Sequence, residues 1–106
     1  MNVWVDGGLT EVAVVVEDGT VYHEEVAGMT NNEAEYAAVL LALHSIKYRP
    51  LTIHSDSQLV VNQLNHKYTI KKKELRQLAL QVWANAQNVK FVWIPREKNL
   101  AGRLLG

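Results

Sequence analysis

Valine sets the rhythm of the first third of the chain. Val3 and Val5 alternate with Asn2, Trp4 and Asp6, and β-branched runs follow from Val12 to Val16 and from Val21 to Val26, separated by Glu17-Asp18-Gly19-Thr20. Period-two alternation and β-branched content predict three strands. Asp18-Gly19 is a tight-turn signal, because glycine accepts the positive φ that two-residue loops need, so strands two and three are expected as antiparallel neighbours. From Glu33 to Tyr48 there is no Gly or Pro, and Ala34 to Leu43 is apolar almost all round. That pattern predicts a largely buried helix, stopped by Pro50.

Beyond Pro50 the pattern changes to strand and helix in turn. Leu51-Thr52-Ile53-His54 reads as a short strand, Ser57 to Leu64 as a short helix, and Asn65-His66-Lys67-Tyr68 as its exit loop. Leu75, Leu78, Ala79, Val82 and Ala86 fall at i, i+3, i+4, i+7 and i+11, which predicts an amphipathic helix from about Glu74 to Gln87. Val89 to Ile94 is a fifth strand ended by Pro95, and Arg96 to Leu105 looks like the stub of a last helix. No repeat, low-complexity tract or linker interrupts the pattern, so residues 1–106 are expected to form a single mixed α/β domain.

Composition narrows the function classes. With 106 residues, 48% hydrophobic and 21% charged, the chain is expected to bury its own core and is neither disordered nor fibrous. It has no cysteine, which excludes disulfides, zinc thiolate sites and thiol catalysis, and suits a reducing compartment. Met1-Asn2-Val3-Trp4-Val5 has no basic segment leading into an apolar stretch, and no apolar run approaches the roughly 20 residues of a membrane span. A soluble, cytoplasmic protein without a membrane partner is expected.

The charges are distributed unevenly although they sum to zero. Residues 1–50 carry eight acids and two bases and residues 51–106 nine bases and three acids, −6 followed by +6. Such asymmetry fits a basic surface beside an acidic pocket, and equally an acidic sheet edge with basic helices.

Three of the acids stand where chemistry would use them. Asp6 closes the first strand before Gly7-Gly8, where the backbone can turn sharply and leave room for a ligand; the plain alternative is a β-turn aspartate. Glu35 lies in the apolar stretch of the first helix, and a buried, unpaired carboxylate costs several kcal/mol, so it needs a cation or a donor. Glu33 has a local explanation, because Thr30-Asn31-Asn32-Glu33 fits a capping box with Thr30 as N-cap. Asp56, in Ser55-Asp56-Ser57-Gln58, follows the fourth strand; its plain alternative is the N-cap of the next helix. If strands one and four are parallel neighbours with the helix packed across them, Asp6, Glu35 and Asp56 converge at the carboxyl ends of the strands. Three hard oxygen donors without His or Cys suit Mg²⁺ or Mn²⁺ rather than zinc.

Asp6-Gly7, Thr30-Asn31-Asn32-Glu33-Ala34-Glu35 and Ser55-Asp56-Ser57-Gln58, in this order and on these elements, resemble the ribonuclease H family. The resemblance covers essentially the whole chain. It implies a ribonuclease H-like five-stranded mixed sheet, three antiparallel strands then two parallel, flanked by helices. It also implies hydrolysis of the RNA strand of RNA–DNA hybrids with two metal ions held by Asp6, Glu35 and Asp56, leaving 5′-phosphate and 3′-hydroxyl ends. Thr30, Asn31, Asn32 and Gln58 match substrate-contacting positions, the asparagines and glutamine facing the minor groove and the 2′-hydroxyls.

The chain departs from the family in three places. The final R-E-x-N-x-x-A-D type motif is one residue shorter here, Arg96-Glu97-Lys98-Asn99-Leu100-Ala101-Gly102, so that Gly102 follows the alanine in place of the fourth carboxylate. The second ion would then rely on Asp6, phosphate, water, Glu97 or Asn99, and weakened metal affinity is expected. The glycine-rich loop after strand one is cut to Gly7-Gly8-Leu9-Thr10, and the extra basic helix of some members is missing. Lys71-Lys72-Lys73 are candidates to replace that helix. They sit at a helix N-terminus, where the macrodipole disfavours cations, so a phosphate partner would account for them; a solvated lysine run is the alternative.

Trp4, Trp83 and Trp93 are expected in the core or at subunit contacts. His23, His44, His54 and His66 lack the spacing of a zinc site, and Ile94 to Asn99 contains no histidine to match the mobile one common in the family. Leu100, Leu104 and Leu105 on the short last helix offer a homodimer contact. An active hybrid-specific nuclease leads, and a non-catalytic or weakly active hybrid-binding module is the alternative.

Overall fold

The computed structural model describes residues 1–105. Strands β1 (Asn2–Gly7), β2 (Glu11–Val16), β3 (Val21–Glu25), β4 (Leu51–Ser55) and β5 (Val89–Trp93) form one sheet in the order β3-β2-β1-β4-β5. The first three are antiparallel, and β1–β4 and β4–β5 are parallel pairs. The predicted turn is there: Gly19 has φ +94°, and its N–H donates to Val16 O at 2.8 Å.

Among the described residues four helices flank the sheet: α1 (Asn31–Ser45), α2 (Gln58–Leu64), α3 (Lys73–Ala84) and α4 (Leu100–Leu105). Val3, Val5, Val12, Val14 and Val16 form one core with Tyr36, Val39, Leu43, Leu51, Ile53, Leu75, Ala79 and Val82. Ala13 points the other way in β2 yet is fully buried, and α4 packs on β1 and β2, so α4 covers part of the opposite face. No helix among the described residues is long and apolar enough to cross a membrane.

Several boundaries differ from expectation, each for a local reason. Helix α1 begins at Asn31 because the Thr30 hydroxyl accepts from the Glu33 N–H at 3.2 Å and the Glu33 carboxylate accepts from the Thr30 N–H at 2.9 Å. It ends at Ser45 rather than Tyr48. The carbonyls of Ile46 and Tyr48 are taken by the Arg49 guanidinium, which also reaches Asn85 O and Gln87 O and so ties the ends of α1 and α3 together. Helix α3 stops at Ala84, three residues early, where Asn85 turns its N–H back to Val82 O and Asn88 takes φ +57°. The expected last helix is split: Arg96–Lys98 is a 3₁₀ turn, Asn99 is extended, and α4 starts afterwards.

Candidate active site

Asp6 sits near the end of β1 and is 4% exposed; it belongs to the strand and not to a turn. Its neighbour Gly7 is also in the strand. A Cβ at Gly7 would lie 2.2 Å from Ala34 O, so the missing side chain admits the backbone of α1 and not, as expected, a ligand. This close approach brings Glu35 to the strand end. The Gly7 N–H donates to Glu35 Oε1 at 3.1 Å and the Ser55 hydroxyl to Oε2 at 3.4 Å.

Asp56 follows β4, the parallel neighbour of β1, and it is not the cap of α2. That place belongs to Ser57, whose hydroxyl accepts from the Val60 N–H at 3.2 Å. Carboxylate oxygens of Asp6, Glu35 and Asp56 therefore lie within 4.8 Å of one another. Among the described residues no other cluster of this kind occurs, and none includes a histidine.

Bringing the acids together moves their protons. Burial, then the charge of Asp6, pushes Glu35 up to about 8, against the pull of the Gly7 N–H. Asp6 is raised as well, first by burial and then by the charge of Asp56, with the Glu35 hydrogen bond and Arg96 opposing. Both shifts run upward because two carboxylates this close and this buried resist ionising together. A hard divalent cation would supply the counter-charge that these clustered oxygen donors lack, so the three residues fit such a cation.

Gly102 borders the same cluster. A Cβ built there would meet Asp56 Oδ2 at 3.7 Å and the Asn99 side chain at 3.6 Å, ordinary contacts that a side chain's first atom tolerates. Neither substitute ligand suggested by the sequence takes that role. Glu97 lies in the exposed 3₁₀ turn outside the cluster, and Asn99 turns its NH₂ group, not its oxygen, toward Asp56. Arg96 approaches Asp56 Oδ2 at 3.9 Å from a largely exposed position.

A family model described as reverse transcriptase-like matches residues 5–105. The chain belongs to the reverse transcriptase-like family. The architecture of this family member is that of ribonuclease H. It superposes on the N-terminal RNase H domain of Rv2228c from Mycobacterium tuberculosis, solved as a fusion with maltose binding protein, with a TM-score of 0.83 and 25% identity, covering 97% of this chain and 88% of that one. RNase H1 of the halophilic archaeon Halobacterium salinarum gives a TM-score of 0.82 at 23% identity, covering 98% and 92%. LC11-RNase H1, solved in complex with an RNA/DNA hybrid, gives 0.78 at 24% identity and 99% of both chains. In sequence, the bifunctional protein Rv2228c of M. tuberculosis is 29% identical over 82 residues, 72% of this chain; the match spans only 22% of that relative's length.

In this reverse transcriptase-like chain the remaining candidate residues lie on surfaces near the N-termini of α1, α2 and α3. Thr30, Asn31, Asn32 and Lys72 line one cavity of about 250 Å³, and Asn32, Lys71 and Lys72 line an adjoining one of about 340 Å³. Lys71, Lys72 and Lys73 are all exposed, and Lys72 is the N-cap of α3 without a capping side-chain bond. Gln58 is exposed at the first turn of α2 and lines neither cavity.

Sequence reasoning missed two supports of the site. Ser55 links Glu35 to the Ser57 N–H, and Trp93, expected in the core or at a subunit contact, is 44% exposed, so not in the core, and donates its indole N–H to Asp56 O at 3.1 Å. The other tryptophans are half-buried, Trp4 stacked on His54 and Trp83 on His66. Of the α4 leucines, Leu100 and Leu104 are exposed and Leu105 is half-buried.

Proposed function

We propose that this chain is a metal-dependent endoribonuclease that cuts the RNA strand of RNA–DNA hybrids and leaves 5′-phosphate and 3′-hydroxyl ends. The observation that carries this reading is the convergence of Asp6, Glu35 and Asp56 within 4.8 Å at the carboxyl ends of β1 and β4. Two Mg²⁺ or Mn²⁺ ions held by these residues with substrate would supply an activated water and stabilise the leaving 3′ oxygen.

The protein's own contribution is placement. Gly7 and Ser55 orient Glu35, whose carboxyl would release its proton to a bound cation's charge and serve as a ligand. Asn31, Asn32 and Gln58 present amides, which can both donate to and accept from a 2′-hydroxyl. Lys71 and Lys72, beside the Thr30–Asn32 surface, and the exposed Lys73 next to them in sequence offer three cations to backbone phosphates. A hybrid as partner is supported by LC11-RNase H1, a fold neighbour solved with one.

Gly102 favours a second reading, a hybrid-binding module with weak or no cleavage. The retained, desolvated Glu35 speaks for catalysis, because a binder alone gains nothing from a buried carboxylate at that cost. Incubation with labelled RNA–DNA hybrid, single-stranded RNA and duplex DNA, in Mg²⁺, Mn²⁺ or chelator, tests both. Metal-dependent cutting of the hybrid alone is expected. Hybrid binding without cutting would establish the second reading, and cutting of the other substrates would redirect the first.

A further inference from the structure

Asn99 is fully buried, and its amide is completely engaged. One NH₂ group donates to Val5 O at 2.9 Å and to Asp56 Oδ2 at 3.0 Å, while Oδ1 accepts from the Ala101 N–H at 3.1 Å at the start of α4. A side-chain amide has two donor hydrogens, and both are spent here on groups of the acidic cluster or its immediate neighbour. Val5 precedes Asp6, so one planar group ties the strand carrying Asp6 to the carboxylate of Asp56.

We propose that Asn99 is a positioning residue for the metal site, fixing Asp56 by a neutral donor next to the place where Gly102 supplies no carboxylate. This rests on the metal-dependent reading given above. The cap of α4 alone does not explain an asparagine: it uses only the oxygen, and serine caps about as well. The donors do. Carboxylates packed this closely repel one another, and without the Asn99 donor Asp56 Oδ2 would keep only water and the largely exposed Arg96, already 3.9 Å from it, to hold it in place. The Asn99 donor engages one oxygen of Asp56 without adding or cancelling charge, so the field that attracts a cation is preserved. The other oxygen has no protein donor among the described residues. Groups that orient ligands from behind in this way commonly alter metal affinity by about tenfold to a hundredfold when removed.

The variant Asn99→Ser keeps a capping oxygen and loses the donor pair. Calorimetric titration of the full chain with Mn²⁺ should show a dissociation constant raised roughly tenfold. The Mg²⁺ needed for half-maximal hybrid cleavage should rise by a similar factor, with KM for the hybrid unchanged. A purely structural residue would lower the Tm and leave the metal affinity of the folded protein alone; Mn²⁺ affinity equal to wild type overturns the proposal. Should Asn99→Ser not fold, the wild-type side-chain NH₂ resonances of Asn99 decide: they should shift along the Mg²⁺ titration curve, and resonances that stay fixed at saturation overturn it. A wild-type chain that binds Mn²⁺ without cutting any nucleic acid removes the proposed function only, whereas one that binds no Mn²⁺ removes both.

Discussion

The backbone N–H of Gly7 donates to Glu35 Oε1 at 3.1 Å, so the strand that carries Asp6 also holds the carboxylate beside it. The hydrogen bond exists only because α1 touches the strand where Gly7 has no side chain.

Gly7→Ala should therefore damage fold and site together. Its Cβ would meet Ala34 O at 2.2 Å, a backbone atom that no rotamer change can move. A loss of about 3 kcal/mol in urea denaturation is expected, with a higher Mg²⁺ requirement for cleavage. An unchanged midpoint would contradict the close approach.

The proton on Glu35 predicts an unusual pH dependence. Its carboxyl moves from 4.5 to about 8 on folding, so between these values the folded protein holds more protons than the unfolded chain. Stability of the metal-free protein should then fall as pH rises through that window. Mg²⁺ should abolish the fall by replacing the proton. Glu35→Gln should remove the Glu35 part of the fall without metal, leaving only the smaller contribution of the raised Asp6, while reducing cleavage by at least about a hundredfold. Thermal melts across the window, with chelator and with Mg²⁺, check the sign.

Gly102→Asp should tighten metal binding. The Cβ fits at 3.7 Å from Asp56 Oδ2, and replacing a helical glycine costs no helix stability. The Mg²⁺ concentration for half-maximal cleavage should drop by roughly tenfold or more. No change in metal requirement would mean that the site functions fully with three carboxylates.

Changing Lys71, Lys72 and Lys73 to glutamine should weaken hybrid binding and flatten its salt dependence, the log–log slope falling by about 0.9 for each phosphate that no longer meets a lysine. Cleavage at saturating hybrid should persist. An unaltered slope would assign the run to solvent.

Much of this was legible in the sequence because the signals were local. Alternating valines, Asp18-Gly19 and the Thr30–Glu33 box each specify structure within a few residues, and each was found. Asp6 and Asp56 were ambiguous because a turn or cap role looks the same along the chain; only the register of β1 against β4 and the capping by Ser57 decide against it. The roles of Asn99, Ser55 and Trp93 were not legible, since their partners lie 94, 20 and 37 residues away and a donor in a loop or at a strand end carries no mark of what it will touch. Helix ends failed for a similar reason: Arg49 stops α1 by bonds that also reach Asn85 and Gln87.

The parallel pairing of Asn2–Trp4 with Thr52–His54 also has a kinetic consequence. The β2–β3 hairpin closes over a few residues and can form early, but β1 meets β4 only after α1 and about fifty residues of chain have been organised between them. Asp6 and Asp56 become neighbours in that late step. The ion that binds them therefore has nothing to grip in a partly folded chain, and divalent metal should slow unfolding far more than it speeds folding.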